Sequence, residues 1–186
     1  MGDLTIRVFI VKFQCKIGEI IKKYVNVACS TISSALLISH GMRRDTKLIL
    51  AFNDDTYIKF LGERLKYVRP DCQSTAGILR KILRENERRR LESKHIFPGI
   101  MVGRGKFIDL LKGPNQTYYS TDRGRDLYST ILQSDFKFII GYPQLSEEEL
   151  AAVKRKNGIP IRISLKYKSP GPLITLIHHR CDELGV

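Results

Sequence analysis

Apolar positions recur along this chain with two distinct periods. Thr5 to Lys12 (Thr-Ile-Arg-Val-Phe-Ile-Val-Lys) is a β-branched run with almost no polar interruption, the pattern of a strand covered on both faces and central in a sheet. From Val25 the apolar residues Val25, Ala28, Cys29, Ile32, Ala35 and Leu36 return at intervals of three and four, which predicts a helix running to Leu37 and ending near Gly41, a candidate left-handed residue. Leu48–Phe52 reads as a buried strand, Asn53-Asp54-Asp55 as a turn, and Tyr57–Phe60 as a more exposed partner strand. Pro70-Asp71 then announces a second helix, with Asp71 as its N-cap and Ile78, Leu79, Ile82 and Leu83 as one apolar stripe.

The second half continues the alternation. Gly103-Arg104-Gly105-Lys106 lacks the spacing of a phosphate-binding loop and reads as a turn before a short helix, Phe107 to Leu111. Gln116–Ser120 and Phe136–Gly141 read as strands, with Tyr142–Leu145 as a loop. Ser146-Glu147-Glu148-Glu149 is a capping box that opens a helix stopping at Asn157-Gly158. Ile159–Leu165 is again strand-like, Lys166–Pro172 is a loop, and Leu173, Ile174, Leu176 and Ile177 mark a terminal helix. Strands alternating with helices predict an α/β fold, a mostly parallel sheet with helices on both faces, as one domain over residues 1–186.

Charge adds a partner to this picture. Thirty-two lysines and arginines against nineteen aspartates and glutamates give a net charge of +13, enough to attract polyanions over long range. The excess is concentrated. The second helix carries Arg80, Lys81, Arg84, Arg88, Arg89 and Arg90 against Glu85 and Glu87, and a second pair, Arg43-Arg44, precedes Asp45. Arginine's planar fork suits phosphates and base edges, so nucleic acid is the first partner to consider, although a basic helix face can equally be a solvated one. The four cysteines have neither zinc-site nor disulfide-scaffold spacing and are expected as reduced, buried thiols. No apolar run approaches the roughly 20 residues that span a bilayer, and no signal-peptide pattern is seen, so a cytoplasmic protein without membrane or metal partners is expected.

Several motifs carry a family resemblance. Ser39-His40-Gly41-Met42-Arg43-Arg44-Asp45, then Ile58–Gly62 with Leu65 and Tyr67, Pro70-Asp71 and Ser74-Thr75-Ala76 resemble archaeal TrmY-type tRNA pseudouridine-54 N1-methyltransferases. Pro98-Gly99-Ile100, Tyr118-Tyr119, Phe138–Gly141 and Ile163-Ser164-Leu165 extend the similarity over nearly the whole chain. The resemblance implies a SPOUT-type fold, whose C-terminal part forms a deep trefoil knot holding S-adenosylmethionine, usually at the interface of a homodimer. The implied reaction methylates N1 of a pseudouridine in tRNA.

That chemistry requires the sulfonium and N1 to be held in line and N1 to lose its proton. The resemblance makes Asp45 the carboxylate that takes or polarises that proton, with Arg43 and Arg44 at a phosphate or base carbonyl. An Arg-x-Asp at a strand entrance can also be a structural ion pair. Ser120, Gly141, Ser164, Leu165, Lys166 and Pro172 are the implied cofactor positions. Asp71, Ser74 and Thr75, at a helix N-terminus where free amides attract anions, join Arg80, Arg84 and Arg88 as expected RNA contacts, although Asp71 also suits a plain N-cap. His178 and His179 have no cluster of ligand spacing around them and are expected to be neither metal ligands nor bases.

The chain departs from the family pattern in its cofactor loops. Gly141-Tyr142-Pro143 replaces Gly-Asp-His, and Ser164-Leu165-Lys166-Tyr167 replaces Ser-Leu-Gly-Pro, placing an ammonium near a sulfonium unless Lys166 points outward. Asn26 and Ser30 also stand where Asp and Arg are common. These departures admit two alternatives: a non-catalytic dimeric RNA-binding SPOUT protein, or a SPOUT methyltransferase acting on ribosomal RNA.

Overall fold

A computed structural model describes residues 6–39, 41–66, 68–88, 94–164 and 166–186. In chain order the first half holds β1 (Arg7–Phe13), α1 (Ile20–Leu36), β2 (Leu37–Ile38), β3 (Gly41–Met42), β4 (Thr46–Ala51), β5 (Thr56–Leu61) and α2 (Cys72–Arg88). The second half holds β6 (Lys94–Phe97), β7 (Ile100–Arg104), α3 (Phe107–Leu110), β8 (Gln116–Asp126), β9 (Phe136–Tyr142), α4 (Glu147–Arg155), β10 (Ile159–Arg162) and α5 (Pro170–Leu184).

The main sheet has eight strands in the order β10-β8-β9-β1-β4-β5-β7-β6. From β10 to β4 every neighbouring pair is parallel, and β5, β7 and β6 extend the sheet antiparallel. The β-branched run is central, as expected: β1 lies between β9 and β4, and Phe9, Ile10 and Val11 are wholly buried. Its alternation feeds two cores. Phe9, Val11 and Phe13 pack with Ala28, Ile32 and Leu36 of α1, Leu79 and Ile82 of α2, and Ile174 and Ile177 of α5. Ile10 lies in the second core with Ile49, Ile139 and Ala152 and Val153 of α4. Helices therefore cover both faces, because a strand's side chains alternate between them.

Several expectations need correction. The first helix begins at Ile20 and bends at Tyr24 (φ −140°, ψ 25°), so its first turn lies off the periodic stripe that starts at Val25. It ends at Leu36, and Gly41 does not cap it: Leu37–Ile38 turn back to pair with Gly41–Met42 in a two-stranded ribbon. Gly103 and Arg104, expected in a turn, belong to β7, which pairs with β5 and β6. Glycine fits within this strand because the ring of Tyr57 lies across it; a Cβ at Gly103 would sit 2.4 Å from the Tyr57 ring. β8 runs to Asp126, past the predicted end at Ser120, and the last strand stops at Arg162 rather than Leu165. Thr5, His40, Tyr67, Arg89, Arg90 and Leu165 lie outside the described residues.

Candidate active site

The motif Arg43-Arg44-Asp45 enters β4 at the amino end of the parallel strands, where Arg7 begins β1. Arg7 donates its backbone N–H to the Asp45 carbonyl at 2.9 Å, and its Nε lies 3.4 Å from Asp45 Oδ2, an ion pair without hydrogen-bond alignment. Asp182, near the end of α5, completes the cluster: Arg43 grips it with both Nη atoms at 3.2 and 2.7 Å, and Arg7 Nη1 reaches it at 2.8 Å. Burial would raise the Asp182 carboxyl, but hydrogen bonds from Arg43 and Arg7 outweigh it and hold the group at about 2. Asp45 retains 28% side-chain exposure and Asp182 47%, so both carboxylates of the cluster reach solvent, but Asp182 is held by two guanidinium groups and Asp45 only by the ion pair with Arg7. Arg44 is spent differently. Its Nη1 donates to the carbonyls of Gly62, Glu63 and Leu65 and braces the turn after β5.

His178 lies beneath this cluster. Its Nδ1 is 3.1 Å from Arg7 Nη1, which can only donate, so Nδ1 is unprotonated and Nε2–H donates to the Ala35 carbonyl at 3.1 Å. Burial, then the charges of Arg43 and Arg7, push the imidazole down to about 3. It is a neutral core histidine with both ring nitrogens engaged.

At the opposite, carboxyl end of the strands a cavity of about 600 Å³ opens among Ser120, Thr121 and Asp122 of β8, Gly141 of β9, the loop Pro143–Leu145, and Ser164, Tyr167 and Lys168. Ile140, Leu145, Leu150 and Leu173 supply apolar wall. Its shape begins with an excursion of β8. β10 pairs with Tyr118 and Tyr119, then jumps to Arg125 and Asp126, so residues 120–124 swing out as the rim. Gly124 allows this crossing, since a Cβ there would stand 2.6 Å from Ile161 N. Of the expected cofactor residues, Ser120, Gly141 and Ser164 meet in this cavity. Pro172 lies in the first turn of α5 beside the wall residue Leu173, and Leu165 is outside the described residues.

Lys166 is exposed, with its ammonium 5.6 Å from the centre of the Tyr167 ring, and does not line the cavity. The cations in the wall are Arg123 and Lys168, and Lys168 is paired with Asp122 across the opening. Tyr142 is likewise absorbed elsewhere, its ring packing on Phe13 and Tyr24 at centroid distances of 5.9 and 5.3 Å.

On α2, Asp71 accepts the backbone N–H of Ser74 at 2.7 Å, and this bond lowers its carboxyl below the usual range. The Thr75 hydroxyl is buried and donates to the Arg69 carbonyl. Asp71 is thus a true N-cap and Thr75 is turned inward, while Arg80, Lys81 and Arg84 lie exposed along the helix's outer side. Arg88 ends the helix, and its side chain is not among the described ones.

A family model described as "Putative SAM-dependent RNA methyltransferase" matches residues 22–186. The chain belongs to this RNA methyltransferase family. The tRNA (pseudouridine(54)-N(1))-methyltransferase of Thermococcus onnurineus is 31% identical over 158 residues, covering 78% of this chain and 76% of that one. Its counterpart in Methanocaldococcus jannaschii is 30% identical over 179 residues, covering 86% and 83%. Among solved structures, Archaeoglobus fulgidus Nep1 bound to S-adenosylhomocysteine has the same fold, with a TM-score of 0.68 at 12% identity over 98% of this chain and 99% of that one.

For an RNA methyltransferase of this family the cavity is a suitable cofactor site. Its volume lies within the about 300–1,000 Å³ usual for such ligands, and it sits outside the carboxyl ends of parallel strands. Hydroxyls, the Asp122 carboxylate and the cations Arg123 and Lys168 interrupt an apolar wall. Among the described residues no group of three or more His, Cys, Asp or Glu could hold a metal ion, and no helix is long and apolar enough to cross a membrane.

Sequence reasoning missed Arg7 and Asp182. Arg7 reads only as part of a buried strand, and its partner is 175 residues away. Asp182 has one local signal, its position one helical turn after His178.

Proposed function

We propose that this family member transfers a methyl group from S-adenosylmethionine to N1 of pseudouridine 54 in tRNA, as a single-domain protein acting in the cytoplasm as a homodimer. The cavity that gathers Ser120, Gly141 and Ser164 at the carboxyl ends of β8, β9 and β10 carries this reading. When bound there, the cofactor supplies an electrophilic methyl group on sulfur. Gly141 brings backbone to the cavity wall, and Ser120 and Ser164 offer hydroxyls to its polar groups.

The base half of the site belongs to Asp45 and Arg43. Pseudouridine is joined to ribose through carbon, so its N1 carries a proton that must leave as the methyl arrives. Asp45 is the group that accepts it, and Arg43 neutralises charge at the base or its phosphate. These residues lie at the amino end of β4, while Gly141 pairs with Lys12 at the other end of β1. Five residues of strand separate the levels of Thr46 and Gly141, about 17 Å at ~3.3 Å per residue. One chain cannot close that gap, so the complete site takes Asp45 from one protomer and the cavity from the other.

The same reading includes a trefoil knot in the C-terminal half. Its support is the pairing of Ile159–Arg162 with two separate parts of β8, at Tyr118–Tyr119 and at Arg125–Asp126, with Leu127 N–H donating to the Arg162 carbonyl, before α5 returns to pack on α1. Arg80 and Arg84 extend the surface that receives tRNA.

Two measurements test the function. Calorimetric titration with S-adenosylhomocysteine is expected to show binding in the micromolar range, about −8 kcal/mol. Methyl transfer is expected to a tRNA transcript carrying pseudouridine at position 54 and not to one carrying uridine there, whose N1 is occupied by the sugar. No binding, or equal methylation of both transcripts, would overturn the assignment.

A further inference from the structure

The cavity wall formed by Pro143, Gln144 and Leu145 is held by a polar network that lies outside the cavity. Gln14, just past the end of β1, makes three contacts with it. Its backbone N–H donates to the Tyr142 carbonyl at 3.0 Å, and its amide Nε2 donates to the Gln144 carbonyl at 3.1 Å and to Glu149 Oε2 at 2.6 Å. Glu149 is the hub. The same Oε2 accepts Ser146 N–H at 2.8 Å, which closes the capping box, while Oε1 lies 3.0 Å from the ammonium of Lys12.

Lys12 has only 3% of its side chain exposed and Glu149 only 14%. The remaining donors of Lys12 go to Asn53 Oδ1 and the Phe13 carbonyl. A capping box needs nothing beyond Ser146 and Glu149; α4 would form without Lys12 or Gln14. A buried lysine near the carboxyl end of an apolar central strand costs desolvation that a leucine would not. The network therefore does something other than start a helix. Each bond that leaves it toward the wall ends on loop backbone, at Tyr142, Gln144 or Ser146, and so fixes where the chain from Gly141 to Leu145 runs. The loop has little freedom to settle elsewhere: it folds back so closely that a Cβ on Gly141 would stand 2.2 Å from Leu145 N.

We propose that Lys12, Gln14 and Glu149 are positioning residues for methyl-donor binding, setting the Pro143–Leu145 wall from behind through the loop's own carbonyls and amides. This rests on the cavity being the donor site. The network supports the loop from strand β1 and helix α4.

The test uses Gln14→Ala, whose side chain is only part-buried, and Glu149→Gln, which keeps the shape of the cap. Titration with S-adenosylhomocysteine comes first on the unaltered protein; absence of binding there sinks the donor-site reading itself. With binding established, Gln14→Ala is expected to raise the Kd and the donor KM roughly five- to tenfold, the loss of one or two hydrogen bonds, with kcat changed less than twofold and the melting temperature within a few degrees. Glu149→Gln should raise the Kd at least as much, with a lower melting temperature because the Lys12 ammonium is left without its counter-charge. If Gln14→Ala binds donor as tightly as the unaltered protein, or loses kcat with KM unchanged, the network is structural only and the proposal fails.

Discussion

Asp45 is the proposed proton acceptor, and its surroundings set what to expect of it. Arg7 Nε and the Thr46 hydroxyl approach its carboxylate at 3.4 and 3.2 Å, and part of it faces solvent. Removing its charge should therefore leave the fold and the distant cavity alone. Asp45→Asn is expected to lower kcat by about 10²–10⁴, the usual contribution of a positioned base, while the Kd for S-adenosylhomocysteine stays within twofold. Equal losses in both would make it a brace for Arg7. His178 makes a second prediction. Its folded value of about 3 lies below the ordinary 6.5, so the unfolded chain binds a proton that the folded one refuses. The stability it confers is complete above about pH 6.5 and lost progressively as pH falls toward about 3. Replacing it as His178→Gln should flatten the melting temperature across that window relative to the unaltered protein; an unchanged slope would show that the imidazole is protonated in the fold.

At the level of elements, α4 and α2 respond to different tests. Ser146 accepts Glu149 N–H at 3.2 Å, and Ser146→Ala should cost about 1 kcal/mol in denaturant unfolding. Replacing Arg80 and Arg84 with Gln should weaken tRNA binding and make its dependence on salt shallower, by up to about 0.7–0.9 in slope for each phosphate no longer neutralised, with donor affinity unchanged. A slope that stays the same would make the α2 face merely solvated.

These elements also show how far the sequence could be read. β1, β4, β9 and the capping box are legible because each is specified by a short run whose own pattern decides it. The β6–β7 hairpin is not, because its glycines look like turn residues until Tyr57 from the neighbouring strand is seen lying on Gly103. The polar tail of β8, Thr121 to Asp126, becomes a strand only by pairing with β10. In the site, Asp45 and Arg43 can be named from a motif, yet Arg7, Asp182, Lys12 and Glu149 act through partners more than 130 residues away, which no local spacing reveals.

For the whole molecule, the proposed site, with Asp45 about 17 Å of strand (at ~3.3 Å per residue) from the cavity, calls for two chains. Mixing Asp45→Asn protomers with protomers whose cavity is blocked by Ser164→Trp should recover roughly a quarter of normal activity, since half the random dimers are mixed and each holds one intact site of two. No recovery would place both halves of the site within one chain. The central claim, that the protein methylates N1 of pseudouridine 54, is tested most directly by mass spectrometry of tRNA nucleosides from cells with and without the gene. N1-methylpseudouridine at position 54 should disappear with the gene, leaving unmethylated pseudouridine, and return when the intact gene, but not its Asp45→Asn form, is restored. An unchanged level of N1-methylpseudouridine at that position would contradict the account.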